Sequence, residues 1–360
     1  MYQLLSNISC ETTRSFLGAL LTFYPPVVSR ASEEKDRRDL FLEAKINTTN
    51  FLPALYIFVF VVGLVLNVWG MISLLHNWNK RRSINIFVLN LGLADMLYLL
   101  THPFLIIYYL NETKWTFGEG FCLVTRFCFN LNLYGSIGFL TCICVYRYLA
   151  VVHPMKVMGK LTTTHSVVIS ILVWILVSVE SSPDMLFPKH SGNKTERCFD
   201  TTSSKNVTAY LNYSLSWTFF GFCIPFAIIV GCYRHVTVVV CRSDTIKNVT
   251  KQHIFKLMVF LILLFSLCYA PYHVFKNLNL YSRVLKNLSK CAAWDSGVYV
   301  ARQASRGVVS LNSALNPLVY LHVDEDMGVQ FRLLLQGCRQ IFSLLHVLYS
   351  SNSLTIVATY

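Results

Sequence analysis

The chain has 360 residues, of which 54% are hydrophobic and 14% are charged, and its formal net charge is +13. Soluble domains carry roughly 25% charged residues, so the composition excludes an ordinary soluble protein and indicates a membrane protein. The sequence shows no cluster of a nucleophile with a base, paired acids or metal ligands, so we expect no enzymatic activity and no required cofactor.

Residues 1–50 are predicted to form an extracellular N-terminal tail. The stretch SFLGALLTFYPPVV (Ser15–Val28) has a short apolar run like a signal-peptide core, but it lacks a basic start and a clean cleavage site. Pro25 and Pro26 also interrupt it. We therefore expect the first long apolar segment to act as the insertion signal.

Residues 51–322 hold seven apolar segments, each long enough to cross a bilayer. A crossing helix needs roughly 20 mostly apolar residues, and these segments are too long and too uniformly apolar for barrel strands. We predict an all-α membrane protein, a seven-transmembrane helix bundle whose segments are called spans 1 to 7. The predicted spans are 52–76, 84–110, 119–151, 166–187, 208–240, 255–278 and 296–321.

Residues 323–360 are predicted to form a short amphipathic eighth helix and a cytoplasmic tail. The stretch MGVQFRLLLQGC ends in Cys338, a juxtamembrane cysteine and hence a candidate for palmitoylation. This assignment places the C-terminus inside the cell.

The loops predict a multi-pass plasma-membrane protein with its N-terminus outside. The first loop carries Lys80, Arg81 and Arg82, which favour the cytoplasmic side. The glycosylation sequons agree, because these asparagines fall outside in this orientation: Asn7, Asn47, Asn111, Asn193, Asn206 and Asn287.

Cys10, Cys122, Cys198 and Cys291 face the oxidising exterior in this orientation, which predicts disulfides. Four cysteines allow three connectivities. The pairing of Cys122 with Cys198 and Cys10 with Cys291 would pin a loop and the tail across the mouth of the bundle, but spacing alone leaves all three pairings open.

Several polar residues and prolines lie deep in apolar spans. Exposing polar groups to lipid costs free energy, so such residues usually face the interior of a helix bundle. Prolines interrupt the hydrogen bonds of a helix and are tolerated where neighbouring groups replace those bonds. The polar residues are Asn67, Asp95, Arg147, Asn312 and Asn316, and the prolines are Pro225, Pro271 and Pro317. The pattern indicates a bundle that changes shape, not a passive anchor.

With its motifs in order, the chain resembles the rhodopsin-like, class A G protein-coupled receptors. The motifs are LVLNVWG in span 1, NLGLADMLY in span 2, CVYRYLAVVHP in span 3, FSLCYAPYH in span 6 and NPLVY in span 7. The resemblance implies a heterotrimeric G protein, arrestin and membrane lipid as partners, and no nucleic acid. It assigns coupling and activation to Tyr146, Arg147, Tyr233, Pro271, Asn316, Pro317 and Tyr320.

Two positions depart from that family's pattern. Tyr146 stands where the acid before Arg147 is usual, and Lys251 stands where span 6 could supply another acid. We therefore expect hydroxyls or amides to hold Arg147, with raised basal signalling. Tyr269 replaces the usual tryptophan or phenylalanine of span 6.

By the same resemblance a sodium ion would bind Asp95, Ser136, Asn312, Ser313 and Asn316. One carboxylate with hydroxyl and amide oxygens suits a hard monovalent cation. A hydrated polar cluster without a metal is the alternative.

Three cations are predicted at similar depth near one end of the bundle. Arg126 lies one turn after the start of span 3, His273 and Lys276 share a face of span 6, and Gln303 and Arg306 share a face of span 7. Snorkelling to the surface would account for Lys276, but it explains Arg126 and Arg306 less well. Arginine suits phosphate or carboxylate, since its fork binds two oxygens.

Few acids are available to neutralise these cations. Glu119 and Asp200 are the main candidates near the mouth. We therefore expect the three cations to be unpaired and to converge on an anionic ligand.

The stretches HVFK and QASR resemble the purinergic (P2Y) nucleotide receptors, and WTFGEGFC, CFDTTS and SRGVVSLNS are most like their ADP-responsive branch. The resemblance implies an extracellular nucleotide ligand, ADP first, and Gq coupling through phospholipase C and calcium. It assigns the ligand to Arg126, Phe129, Asn130, Tyr134, Asp200, His273, Lys276, Arg283, Tyr299, Gln303 and Arg306. Of these, Arg126, Lys276 and Arg306 would hold phosphates, and Asp200 and Arg283 would form a lid.

Two other functions stay open at this point. Receptors for succinate or 2-oxoglutarate share a His-x-x-Arg pattern in span 6 and an arginine in span 7, but often have proline where this chain has Gly307. A transporter would usually show internal repeats, and none is evident in the sequence.

Overall fold

The computed structural model describes residues 30–76, 83–111, 113–154, 162–186, 198, 206–242, 248–288, 294–319, 336, 339 and 340. Within these ranges every regular element is a helix. The helices are Arg30–His76 (span 1), Ser83–Leu99 and His102–Leu110 (span 2), Glu119–Val152 (span 3), Thr163–Leu186 (span 4), Val207–Thr218, Phe219–Cys223 and Ile224–Arg242 (span 5), Asn248–Leu264, Phe265–Tyr269 and Ala270–Asn287 (span 6) and Asp295–Leu315 (span 7).

Spans 1 to 6 are long and apolar enough to cross a membrane by length and composition. Span 7 has 21 residues but is more polar, because Arg302 and Arg306 interrupt it. The all-helical multi-span architecture predicted from the sequence is confirmed.

Spans 1 and 2 differ from their predicted outlines. The first helix begins at Arg30, within the segment predicted as tail. Span 2 was predicted to be continuous, but it breaks between Leu99 and His102. Pro103 causes the break, because it has no N–H for the carbonyl one turn earlier. At the break, the Thr101 hydroxyl donates to the Tyr98 carbonyl at 2.7 Å.

Spans 5 and 6 each contain one π-helical turn, Phe219–Cys223 and Phe265–Tyr269. Each turn is centred four residues before a proline, Pro225 or Pro271. A proline ring clashes with the carbonyl four residues earlier, and widening the helix there relieves the clash. The break predicted at Pro271 thus corresponds to a π turn within span 6.

Buried polar contacts tie the spans together. Trp174 Nε1 donates to Asn90 Oδ1 at 2.8 Å, which joins span 4 to span 2. Asn67 Nδ2 donates to the Ser313 carbonyl at 2.8 Å, which joins span 1 to span 7. The opposite faces carry exposed apolar side chains such as Leu176, 66% exposed, as expected for a lipid-facing surface.

Some predicted features lie outside the described residues or side chains. These are Asn7, Cys10, Asn47, Asn193, Asp200, Lys251, Cys291, Tyr320 and Cys338. Within the segment predicted as an eighth helix, residues 336, 339 and 340 are helical.

Candidate functional site

A disulfide joins Cys122, at the start of span 3, to Cys198. Of the pairings left open by the sequence, this one is confirmed. Gly118 precedes the helix with φ 79°, a left-handed conformation that favours glycine, and its carbonyl accepts the Trp115 Nε1 hydrogen at 2.7 Å. The end of the bundle that holds Cys122 is called the disulfide end below.

Arg126, one turn further along span 3, forms an ion pair with Asp184 of span 4. Arg126 Nη2 lies 2.5 Å from Asp184 Oδ2 and 2.8 Å from the Asp184 backbone oxygen. The expectation that Arg126 is unpaired, with Glu119 and Asp200 as the nearest acids, is therefore wrong. Asp184 lies within the predicted span 4, but its position facing Arg126 depends on how spans 3 and 4 pack, which the sequence pattern does not specify.

Span 4 continues past that proline because a serine satisfies the freed carbonyl. Pro183 cannot donate to Val179, and the Ser182 hydroxyl donates to that carbonyl instead at 2.9 Å. The extra turn carries Asp184 into the bundle, where the Tyr210 hydroxyl of span 5 also donates to its carboxylate.

Lys276 of span 6 is buried between two tyrosine rings. Its Nζ lies 5.8 Å from the Tyr272 ring centre and 5.9 Å from the Tyr210 ring centre. Such cation–π contacts stabilise a desolvated ammonium while leaving its charge intact. Lys276 forms no ion pair with any carboxylate in the described part of the chain.

Arg306 of span 7 lies against aromatic residues of several spans. Its guanidinium carbon is 5.6 Å from the centre of the Phe129 ring. The Phe129 ring in turn packs edge-on against Tyr272 at 5.5 Å, so spans 3, 6 and 7 meet there. The Tyr109 hydroxyl of span 2 also lies near Arg306. The structure thus brings the neighbourhoods of Arg306 and Lys276 together through Tyr272.

A fourth cation, Arg302, is buried one turn before Arg306. It is 3% exposed, and its Nη1 donates to Asn279 Oδ1 of span 6 at 3.3 Å. Its Nε has no hydrogen-bond partner among the described residues. The spacing of four residues from Arg306 was a signal that could have identified it.

His273 lies in a stack of aromatic rings, about one turn before Lys276 on span 6. It packs face to face on Phe222 at 4.8 Å and lies 5.8 Å from the Tyr134 ring. Its Nδ1 is 3.3 Å from the Thr218 hydroxyl, whereas its Nε2 has no partner among the described residues. Tyr134 and His273 are therefore neighbours, as the ligand assignment required.

Glu180 is a second acid that the sequence reading missed. It lies one turn before Asp184 on span 4, and its buried Oε1 has no hydrogen-bond partner in the described structure. A Cβ at Gly221 would lie 2.9 Å from that oxygen, so the close approach of the span 5 π turn depends on glycine. Lys276 lies near enough to interact with the Glu180 carboxylate.

Gln303 and Tyr299 of span 7 contact each other at the edge of this cluster. Gln303 Nε2 donates to the Tyr299 hydroxyl at 3.2 Å, and Gln303 Oε1 is buried without a described partner. Asn130 lies beside Asp184, with Nδ2 at 3.4 Å from Oδ2. Arg283 is half-buried near the end of span 6.

A second polar cluster surrounds Asp95 in the middle of the bundle. Asn132 Nδ2 donates to Asp95 Oδ1 at 2.7 Å, and Asn316 Nδ2 donates to both carboxylate oxygens at 2.9 and 3.0 Å. The same Asn316 amide lies 3.3 Å from the Ser136 hydroxyl, and Ser313 donates to Asn132 at 3.3 Å. Four of the five predicted residues, Asp95, Ser136, Ser313 and Asn316, thus converge, together with Asn132, which was not predicted from the sequence.

The far end of span 3 carries Tyr146 and Arg147, both half-buried. Tyr233 is half-buried and packs against the core. The expectation that hydroxyls or amides hold Arg147 stays a prediction. The next residue, Tyr148, lies with its hydroxyl 3.1 Å from His235 Nδ1 of span 5.

The sequence profile of the 7 transmembrane receptor (rhodopsin family) matches residues 66–320. P2Y purinoceptor 1 of Gallus gallus is 40% identical over 276 residues, 75% of each chain. P2Y purinoceptor 1 of Homo sapiens is 39% identical over 276 residues, 75% of this chain and 73% of the relative. P2Y purinoceptor 4 of Xenopus laevis is 34% identical over 316 residues, 85% of this chain and 58% of the relative.

Proposed function

We propose that the chain is a receptor for an extracellular nucleotide, with ADP as the first candidate. The chain belongs to the rhodopsin family of seven-transmembrane receptors and is similar to the P2Y purinoceptors within it. Members of this family are signalling receptors and not enzymes. In this proposal the receptor lies in the plasma membrane with its N-terminus and the disulfide end outside.

The observation that carries the proposal is the group of buried cations near the disulfide end. Arg126, Lys276, Arg302 and Arg306 come from spans 3, 6 and 7, and each is at most 7% exposed. Asp184 and Glu180 supply two carboxylates for these four cations, and burying the remaining like charges together is unfavourable without a further anion. A phosphate chain supplies that anion with several oxygens, and arginine forks bind such oxygens in pairs.

Aromatic residues beside these cations provide surfaces for a nucleoside. Phe129, Tyr134 and His273 belong to one connected set of ring contacts through Tyr272. The buried His273 Nε2 and Gln303 Oε1 lack described partners and are available to polar groups of a ribose or base. Tyr299, Asn130, Asp200 and Arg283 complete the proposed ligand contacts.

Signalling follows from the way the ligand joins spans 3, 6 and 7. The phosphates draw Lys276 and Arg306 together, and span 6 bends at the π turn before Pro271. The far end of span 6 then moves outward and exposes Arg147 to a heterotrimeric G protein, which we propose is of the Gq type. The ligand shifts this equilibrium only by its difference in affinity for the two states.

A sodium ion at Asp95 is a further part of the proposal, because the cluster offers a suitable set of oxygens. Asp95, Ser136 and Ser313 carry them, and Asn312 Oδ1 and Asn316 Oδ1 are buried without described hydrogen-bond partners. The Asn316 amide donates to Asp95 in the structure, so this amide would turn to offer its oxygen to the ion. Bound there, sodium would supply the counter-charge to the carboxylate.

The direct test is a calcium assay in cells that express the receptor, with ADP, ATP, UDP, UTP, succinate and 2-oxoglutarate as candidate agonists. The proposal expects a saturable response to nucleotides, with ADP the most potent, and none in untransfected cells. The relatives do not favour the dicarboxylate alternative. A response to succinate or 2-oxoglutarate, with none to nucleotides, would replace the proposal.

A further inference from the structure

The Asp184 carboxylate forms an ion pair with Arg126, the arginine to which the proposed function assigns a ligand phosphate. Its Oδ2 lies 2.5 Å from Arg126 Nη2 and 3.4 Å from Asn130 Nδ2, and the Tyr210 hydroxyl donates to Oδ1. The Asp184 carboxylate is thus held by donors from spans 3 and 5. It stands where an anionic oxygen of the ligand would bind Arg126.

We propose that Asp184 is a specificity-determining residue: its carboxylate is a resident anion on Arg126 and sets how much negative charge the site accepts from a ligand. The inference rests on the proposed nucleotide function and adds to it a preference among phosphate chain lengths. A ligand oxygen that binds Arg126 Nη2 must displace Asp184, which occupies that nitrogen.

The remaining cations of the site lie mainly against neutral groups, and the Glu180 carboxylate is also near Lys276. Lys276 lies against tyrosine rings, Arg302 against the Asn279 amide and Arg306 against the Phe129 ring, and these neutral groups leave the charges intact. A nucleoside diphosphate carries about three negative charges near neutral pH and a triphosphate about four, since a terminal phosphate ionises near pH 6. Releasing Arg126 from Asp184 adds one positive charge to the site, which favours the ligand with one more negative charge.

If Asp184 instead helped Arg126 to bind the ligand, its removal would have the opposite effect on agonist potency. Carboxylates often orient an arginine for its ligand, and removal of such an acid would misplace Arg126 and weaken every phosphate ligand. If Asp184 instead competes with the ligand, its removal frees Arg126 and favours the ligand with more charge. The two roles are therefore separable by measuring agonist potency.

The test compares ADP and ATP potencies in the full-length receptor with Asp184→Asn, which keeps the side-chain shape. We expect the potency of ATP relative to ADP to rise about tenfold, which corresponds to about 1.4 kcal/mol. Adding Arg126→Gln to the variant abolishes that gain. Glu119→Gln is the control, because Glu119 is an exposed acid at the disulfide end, outside the proposed ligand contacts, and its removal changes the net charge equally.

Three outcomes overturn the inference: an unchanged ratio, an equal rise in Glu119→Gln, or a loss of both potencies like that of Arg126→Gln alone. Should Asp184→Asn fail to reach the cell surface, Tyr210→Phe serves instead. It removes a donor that holds Asp184 but keeps the ring beside Lys276. We expect a smaller shift in the same direction, and no shift overturns the inference.

A binding measurement separates this inference from the nucleotide proposal. In purified receptor, inorganic tripolyphosphate and pyrophosphate supply the charges without a nucleoside. We expect Asp184→Asn to gain more in Tm from tripolyphosphate, relative to pyrophosphate, than the unaltered receptor does. Equal gains contradict the competition whatever the cellular agonist is. A larger gain supports the competition even if no nucleotide activates the receptor.

Discussion

Replacing Lys276 with methionine removes one positive charge from the proposed phosphate site and keeps most of the side-chain volume. The lysine is 7% exposed and lies 5.8 and 5.9 Å from two tyrosine ring centres, so methionine can keep the packing. A hydrogen bond to a charged group contributes about 1.5–3 kcal/mol. We therefore expect the ADP potency to fall about 10- to 150-fold.

The assay is the calcium concentration-response curve, with surface expression measured on the same cells. Lys286→Met is the matched control, because Lys286 lies exposed at the end of the same span. It makes the same chemical change away from the site and should leave potency within about threefold. The reasoning is refuted if Lys276→Met reaches the surface and keeps its potency, or if both variants shift it equally.

Three further substitutions test other parts of the structure. Asp95→Asn should abolish any effect of sodium chloride, relative to choline chloride, on agonist affinity; an undiminished sodium effect would count against an ion at Asp95. Cys198→Ser opens a disulfide that spans 76 residues, which costs about 4.5 kcal/mol in the chain-entropy estimate. We expect lower Tm and surface expression, and an unchanged Tm would contradict a structural role. Gly307→Val should lower the free energy of unfolding by about 1–3 kcal/mol, because a Cβ there would lie 2.8 Å from Leu52. Gly307→Ala should cost less, since the tip of the leucine side chain can move. An equal Tm for both variants would contradict the steric argument.

The spans and their order were predictable from the sequence, because roughly 20 apolar residues in a row satisfy the bilayer locally. The break in span 2 was not predicted, although Pro103 marks it. The π turns could not be read from apolar composition either. They depend on how each helix accommodates its proline, and Pro225 and Pro271 gave the only sequence signal for them.

The cation cluster was predicted in part. Arg126, Lys276 and Arg306 were identified from their depth in the spans and from family resemblance. Their acidic partners were not, because Glu180 and Asp184 sit at the end of span 4 and face the site only through tertiary packing. The four-residue spacing of these acids, which puts both on one helix face, was a signal available in the sequence.

The most direct test removes the phosphates from the ligand instead of a cation from the receptor. The measurement is the equilibrium binding of ADP and of adenosine to the purified receptor. If Lys276, Arg302 and Arg306 bind the phosphate chain, ADP will bind at least about a hundredfold more tightly, which corresponds to about 2.8 kcal/mol. Equal affinities for ADP and adenosine would contradict a phosphate site among spans 3, 6 and 7.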